Sequence, residues 1–337
     1  MSFRWSKRAR RYCAATGATL IVLASVSISV VTTGCSALET KERELLFRPV
    51  KEAAGWYNGT PSSVQEVWLP VGDGTPAERI HAWWWPADDP GAPAVLYLHG
   101  VRWNLTGHLN RMSQLRRFGF SVFAIDYRGF GKSDGELPSE TTVYEDARAA
   151  WKWLVAKEPD PSRRYIYGHS LGGAVAVDLA AQISGTPAGA RGLIVESSFT
   201  SLPELVSESG YGWLPPLLSQ KFDSVVKIRE ITMPVLIVHG ADDRYVPASL
   251  SSALYAAAPQ PKKLLLVPNA THNNSLWTGD ADYRHALTEL FGPLQATPVA
   301  STPASEVPVR VNAGSPVNRR QAAGVVDTLP GDAPVIH

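Results

Sequence analysis

Short apolar runs recur along the middle of the chain at a spacing that leaves few folds open. Two runs of alternating character, 63–69 and 79–85, are followed by 94–98, 120–125, 164–167, 193–196, 235–238 and 263–267. The last six are rich in β-branched and aliphatic residues and bounded by turn residues, as strands buried on both faces are. The first two are expected to pair antiparallel. Between the runs the periodicity is helical. Val143, Ala147, Ala150, Trp151 and Leu154 share one face, with Asp146, Arg148, Lys152 and Lys157 elsewhere, and Ser139 followed by Glu140 reads as a helix start. Such alternation predicts an α/β fold: a mostly parallel eight-stranded sheet with helices on both faces. Ligands of such sheets bind beyond the carboxyl ends of the strands, so the residues just after each run carry the most information.

The chain outside this region differs in kind. Residues 1–12 hold Arg4, Lys7, Arg8, Arg10 and Arg11 and no acid, so a total charge of +1 hides a remainder of −4. That sum argues against a dedicated nucleic-acid binder. An apolar run over 14–31 follows, and a cationic segment before an apolar one reads as a secretory signal, with a permanent membrane anchor as the alternative. Thr32-Thr33-Gly34-Cys35 resembles the lipobox of bacterial lipoproteins, although Thr32 stands where Leu is usual. The resemblance implies lipidation at Cys35, and Ser36 after it implies outer-membrane sorting, hence a cell-envelope protein facing the periplasm. Both cysteines, Cys13 and Cys35, lie in this leader, which leaves the body without a disulfide or a cysteine-based metal site. At the other end, seven prolines in residues 293–337 with no periodicity predict an extended tail. The expected organisation is a leader at 1–35, one domain at 36–292 and a tail at 293–337.

Chemistry concentrates at three strand ends. After the run 164–167 comes Gly168-His169-Ser170-Leu171-Gly172-Gly173 and then a helical stretch: G-x-S-x-G between strand and helix. A sharp turn there lifts the Ser170 hydroxyl above the sheet, and the Leu171 amide at the helix start can face a developing oxyanion. A serine nucleophile needs a base, and the base an orienting acid. Asp242 and Asp243 follow the run 235–238, and His272 follows the last run. Of the eight histidines, His272 alone occupies that place.

With these segments in view, residues 64–291 resemble the α/β-hydrolase superfamily, in particular its bacterial serine-aminopeptidase-like branch, which also resembles depalmitoylating thioesterases. The resemblance rests on His99-Gly100, on Asp126-Tyr127-Arg128-Gly129-Phe130-Gly131-Lys132-Ser133, on the serine turn, and on HGxxDxxVP at 239–247. It implies Asp243 rather than Asp242 as the acid, and the Val101 amide as the second oxyanion donor. Val101-Arg102-Trp103-Asn104 departs from the small residues usual after His-Gly, so Arg102 and Trp103 either meet a substrate group or pack over the loop. Residues 197–233 stand where relatives insert a lid. This stretch is apolar, and Phe199 is a candidate for an acyl-binding wall.

The expectation is a cofactor-independent, metal-free serine hydrolase of small-molecule esters, thioesters or acylated substrates. It binds no nucleic acid and is held at a membrane by a lipid or by its uncleaved leader; oligomeric state is open. The alternatives are a serine peptidase and a non-catalytic envelope lipoprotein that uses the fold for binding.

Overall fold

A computed structural model describes residues 36–294. The leader, Cys35 and nearly all of the proline-rich tail fall outside them. The eight runs form one sheet: β1 (Gln65–Val71), β2 (Glu78–Trp85), β3 (Ala94–Leu98), β4 (Ser121–Ile125), β5 (Arg164–His169), β6 (Gly192–Glu196), β7 (Val235–Gly240) and β8 (Lys262–Val267). Their order is β1-β2-β4-β3-β5-β6-β7-β8. β2 is antiparallel to β1 and to β4, and the other neighbours are parallel. Because β4 lies on one side of β3 and β5 on the other, the winding reverses there. The crevice at such a reversal opens at the strands' carboxyl ends.

Both faces of the sheet are covered, which is why the central runs show no polar alternation. Leu96, Leu98, Ile166, Val195 and Ile237 point to one core, shared with α3 (Glu140–Lys157), α4 (Leu171–Ile183) and α7 (Ala248–Ala257). Val95, Tyr97, Tyr167, Ile194 and Val238 point to the other, shared with α2 (Leu105–Arg117) and α9 (Asp280–Phe291). The predicted start of α3 is present: Ser139 Oγ accepts from the Thr142 amide, and Thr142 Oγ1 accepts from the Ser139 amide. A reciprocal cap of this kind contributes about 1 kcal/mol.

One element has no counterpart in the sequence reading. Residues 36–47 are helical (α1). The Glu42 carboxylate accepts from the Ser219 amide (2.8 Å) and hydroxyl (2.6 Å) and from the Gln220 amide (2.9 Å). Arg43 Nε donates to the Pro138 carbonyl at 2.8 Å, and Phe47 is fully buried beside Phe222. The chain then runs along the carboxyl edge of the sheet, where the Val50 carbonyl accepts from Gly131 N and Asn104 Nδ2.

Residues 197–233 form short turns of helix, α5 (Leu202–Val206) and α6 (Ser224–Lys227) among them. Phe199 and Leu202 are buried, whereas Tyr211, Trp213 and Leu217 are exposed, Trp213 by 70%. Among the described residues no helix is long and apolar enough to cross a membrane.

Candidate active site

The turn between β5 and α4 is strained. Ser170 has φ 56° and ψ −124°, a region that costs a non-glycine residue on the order of 1–3 kcal/mol. Neighbouring glycines make it possible. A Cβ on Gly168 would collide with the Gly172 carbonyl, and one on Gly172 with the Leu98 carbonyl. The serine backbone is pinned on both sides, its amide donating to the Glu196 carbonyl (2.9 Å) and its carbonyl accepting from Gly173 N (2.9 Å).

Three of the singled-out side chains stand in one hydrogen-bonded line. Ser170 Oγ lies 3.0 Å from His272 Nε2, and His272 Nδ1 lies 2.7 Å from Asp243 Oδ2. With its proton on Nδ1, His272 donates to the carboxylate and accepts the serine hydroxyl. Asp243 Oδ1 takes the amides of Tyr245 (2.9 Å) and Val246 (3.0 Å), and Oδ2 also faces His239 Nε2 at 3.1 Å. Burial pushes this carboxyl up, but hydrogen bonds from His239 and His272, the His272 charge and the Val246 amide outweigh it. The net effect holds Asp243 below the usual carboxylate range, and so ionised. Asp242 has an exposed side chain and only its amide is engaged, on the Ala270 carbonyl.

Two donors fix the His272 loop from beneath. His169 Nε2 donates to the His272 carbonyl at 2.9 Å. Burial first, then the charges of Arg111 and His272, push His169 well below the usual histidine range, so it is a neutral donor. Arg111 Nη2 donates to the Asn273 carbonyl at 2.8 Å. Its Nη1 reaches Glu196 Oε1 at 2.6 Å and Tyr167 Oη at 2.8 Å, and the hydroxyls of Tyr167 and Tyr283 donate to Glu196 Oε2. Arg111 and Glu196 were not legible in the sequence. Arg111 sits on α2 in a stretch that reads as a solvated helix face, and only the fold turns it inward.

The peptide joining Gly100 to Val101 lies beside the serine: a Cβ on Gly100 would sit 3.0 Å from Ser170 Cβ. His99 Nδ1 donates to the Gly100 carbonyl at 2.7 Å. Because that peptide is planar and trans, holding its carbonyl on one side sends the Val101 N–H to the other. Among the described residues the Val101 amide has no acceptor. Val101 follows the Gly100 peptide beside Ser170 and Leu171 opens α4 directly after it, so both amides are candidates to face the hydroxyl. Trp103 packs edge-on against Trp56, ring centroids 4.7 Å apart. Phe199 is core. Arg102 is partly exposed, and the Tyr245 ring meets the His272 ring at 5.6 Å.

Among the described residues no group of three or more His, Cys, Asp and Glu is placed to hold a metal ion. A concavity of about 400 Å³ lined by Ser184, Thr186 and Arg191 lies by the amino ends of β5, β6 and β7, away from this chemistry.

A hydroxyl on a strained strand-to-helix turn, an imidazole and a buried carboxylate in line, and two candidate amides for the oxyanion form a constellation suited to acyl transfer. Known proteins agree in fold and family. The family model described as "Serine aminopeptidase, S33" matches residues 90–228. An uncharacterized protein of Mycobacterium tuberculosis is 36% identical over 257 residues, 75% of this chain and 86% of that protein. The uncharacterized protein YfhR of Escherichia coli K12 is 30% identical over 246 residues, 70% of this chain and 83% of its own length. The chain belongs to the α/β-hydrolase superfamily. Lysophosphatidylserine lipase ABHD12 of Danio rerio is 34% identical over 219 residues, covering 59% of this chain and 56% of the lipase. Among solved structures, the esterase Pf2001 of Pyrococcus furiosus superposes with a TM-score of 0.58 at 19% identity, over 73% of this chain and 99% of that one. This last likeness speaks for the fold alone.

Proposed function

We propose that this α/β-hydrolase is a serine hydrolase of carboxylic esters or thioesters, working through an acyl-enzyme. The observation that carries the reading is the line Ser170–His272–Asp243, at 3.0 and 2.7 Å, with the serine on a strained turn. Ser170 Oγ attacks the carbonyl carbon while its proton passes to His272 Nε2. The resulting oxyanion is held by the Leu171 and Val101 amides, each such donor being worth about 3–4 kcal/mol at the transition state. As the tetrahedral adduct collapses, His272 returns the proton to the departing alcohol or thiol. Water then attacks the acyl-serine, with His272 again taking the proton. Asp243 keeps the imidazole in the required tautomer and stabilises its charged form.

Two classes of bond compete. The serine-aminopeptidase description of the matching family favours a peptide bond; the lipase relative favours an ester. Parallel assays on 4-nitrophenyl esters and aminoacyl 4-nitroanilides separate them. Ester turnover that disappears in Ser170→Ala is the expected result, and turnover of the anilides alone would replace the ester reading with the peptidase one.

The cationic and apolar leader and Cys35 support placement at a bacterial cell envelope through a lipid or an uncleaved segment. Metabolic labelling with palmitate, lost in Cys35→Ser, is the outcome expected for the lipid. Absence of label with retention in the membrane fraction would favour the uncleaved segment.

A further inference from the structure

Beside the Ser170 site the chain places two arginines that no acidic side chain among the described residues pairs with. Arg102 directly follows the Gly100–Val101 peptide, and its amide donates to the Phe47 carbonyl at 3.2 Å. That bond brings Arg48, the residue after the acceptor, up to the same loop. Arg48, Arg102 and Trp103 all have left-handed backbone, at φ 47°, 60° and 47°. Bulky residues adopt this conformation only where the surroundings impose it. Arg48 opposes the charge of Arg102 and the Tyr245 phenol lies near it, and among the described residues Arg102 makes no ion pair. Tyr245 in turn packs against His272.

Eight other described arginines pair with a carboxylate or lie over an aromatic ring, whereas Arg43, Arg117, Arg191, Arg229 and Arg244 do not. Arg111, Arg128 and Arg163 pair with carboxylates, and Arg79 and Arg116 lie over tryptophan rings. Among the described residues Arg48 and Arg102 do neither. The backbone bond sets an exposed Arg48 and a partly exposed Arg102 on adjoining segments. An anion would relieve the repulsion between them, and a guanidinium fork fits a planar or a tetrahedral oxyanion.

We propose that Arg48 and Arg102 form an anion subsite at the rim of the Ser170 pocket, so that the preferred ester carries a carboxylate or phosphate group near its reacting carbonyl. This rests on the esterase reading above and narrows its substrate class. Arg102 thereby acts on substrate, whereas Trp103 braces the loop against Trp56.

The test compares matched 4-nitrophenyl esters on the full-length protein. One pair is 6-carboxyhexanoate against its methyl ester; the other is 6-phosphonohexanoate against its dimethyl ester. The readout is the ratio of kcat/KM for the anionic ester to that for the neutral one, which a partly misfolded preparation does not alter. The expected ratio is roughly tenfold at low salt in at least one pair, shrinking as salt screens the charges. The pair with the larger ratio tells whether a planar or a tetrahedral anion is preferred. In the double variant Arg48→Gln/Arg102→Gln the ratio should fall to about one, and in Arg102→Glu below it. A wild-type ratio of one or less on both pairs, or a preference that survives the double substitution, overturns the subsite while leaving the esterase reading intact. Failure to hydrolyse any of the four esters sinks the esterase reading itself.

Discussion

The floor and the rim of the candidate site are built differently. On the floor the groups that position the triad are engaged, although His169 Nδ1 and His99 Nε2 have no hydrogen-bond partner among the described residues. The Asp243 oxygens meet two amides and two imidazoles, the His272 carbonyl is held by His169, and the Asn273 carbonyl by Arg111. Above the floor, Arg48 and Arg102 have no counter-charge among the described residues and Tyr245 is 37% exposed, while Tyr211 and Trp213 of the 197–233 segment are exposed by 50% and 70%. The difference separates two tasks. Chemistry that depends on fractions of an ångström sits on groups fixed by several bonds each. In the proposed reading, selection among substrates falls to side chains that are free to meet a ligand.

If the floor carries the chemistry, Ser170→Ala or His272→Ala should lower kcat by about 10⁴-fold or more, with the fold retained by circular dichroism. Residual activity within tenfold of the parent would break the division of labour outright. Asp243→Asn keeps the shape but favours the wrong imidazole tautomer, so a kcat loss approaching 10⁴-fold is expected with little change in KM. Arg111→Met leaves the Glu196 carboxylate buried without its cation and frees the Asn273 carbonyl. Denaturant unfolding should register a loss of about 3–5 kcal/mol. Arg111→Met combined with Glu196→Leu should cost less than the sum of the two single changes, because neither charge is then left alone. An additive result would mean that the two groups do not act as a pair.

Acid should weaken the same region. Asp243 has a folded-state pKa below its unfolded value of about 3.9. Its contribution to stability is therefore complete above that value and is lost as pH falls through the folded one. Unfolding free energies measured below pH 4 should drop less steeply in Asp243→Asn than in the parent, and equal slopes would contradict the assignment. The smallest effect belongs to the 197–233 segment. Trp213→Ser removes a side chain that is 70% exposed and should change stability by less than about 0.5 kcal/mol. A larger loss would show the segment to be packed rather than available.

The parts of this molecule that the sequence declares are those with local causes. Strands buried on both faces appear as apolar runs, and all eight lie within two residues of their expected places. Ser170, His272 and the pair Asp242–Asp243 were legible because each stands just past a strand, where the fold delivers side chains to one crevice, and the resemblance at 239–247 singled out Asp243 of the two. α1 was not, because its stability comes from Glu42 and Arg43 reaching segments far along the chain, and no local pattern records that. Arg111 failed for a related reason. A helix residue with a long charged side chain reads as solvated until a buried acid such as Glu196 is known to face it. Arg102 and Trp103 had two readings, substrate contact or loop packing; Trp103 packs against Trp56, and Arg102 is partly exposed.

The nucleophile can be tested most directly by covalent labelling. Folded full-length protein treated with a fluorophosphonate and analysed by intact and peptide mass spectrometry should gain one adduct, on the peptide containing Ser170, and none in Ser170→Ala. Folded protein that hydrolyses esters yet gains no adduct, or that carries the adduct elsewhere and keeps it in Ser170→Ala, would contradict the assignment of Ser170 as the attacking group.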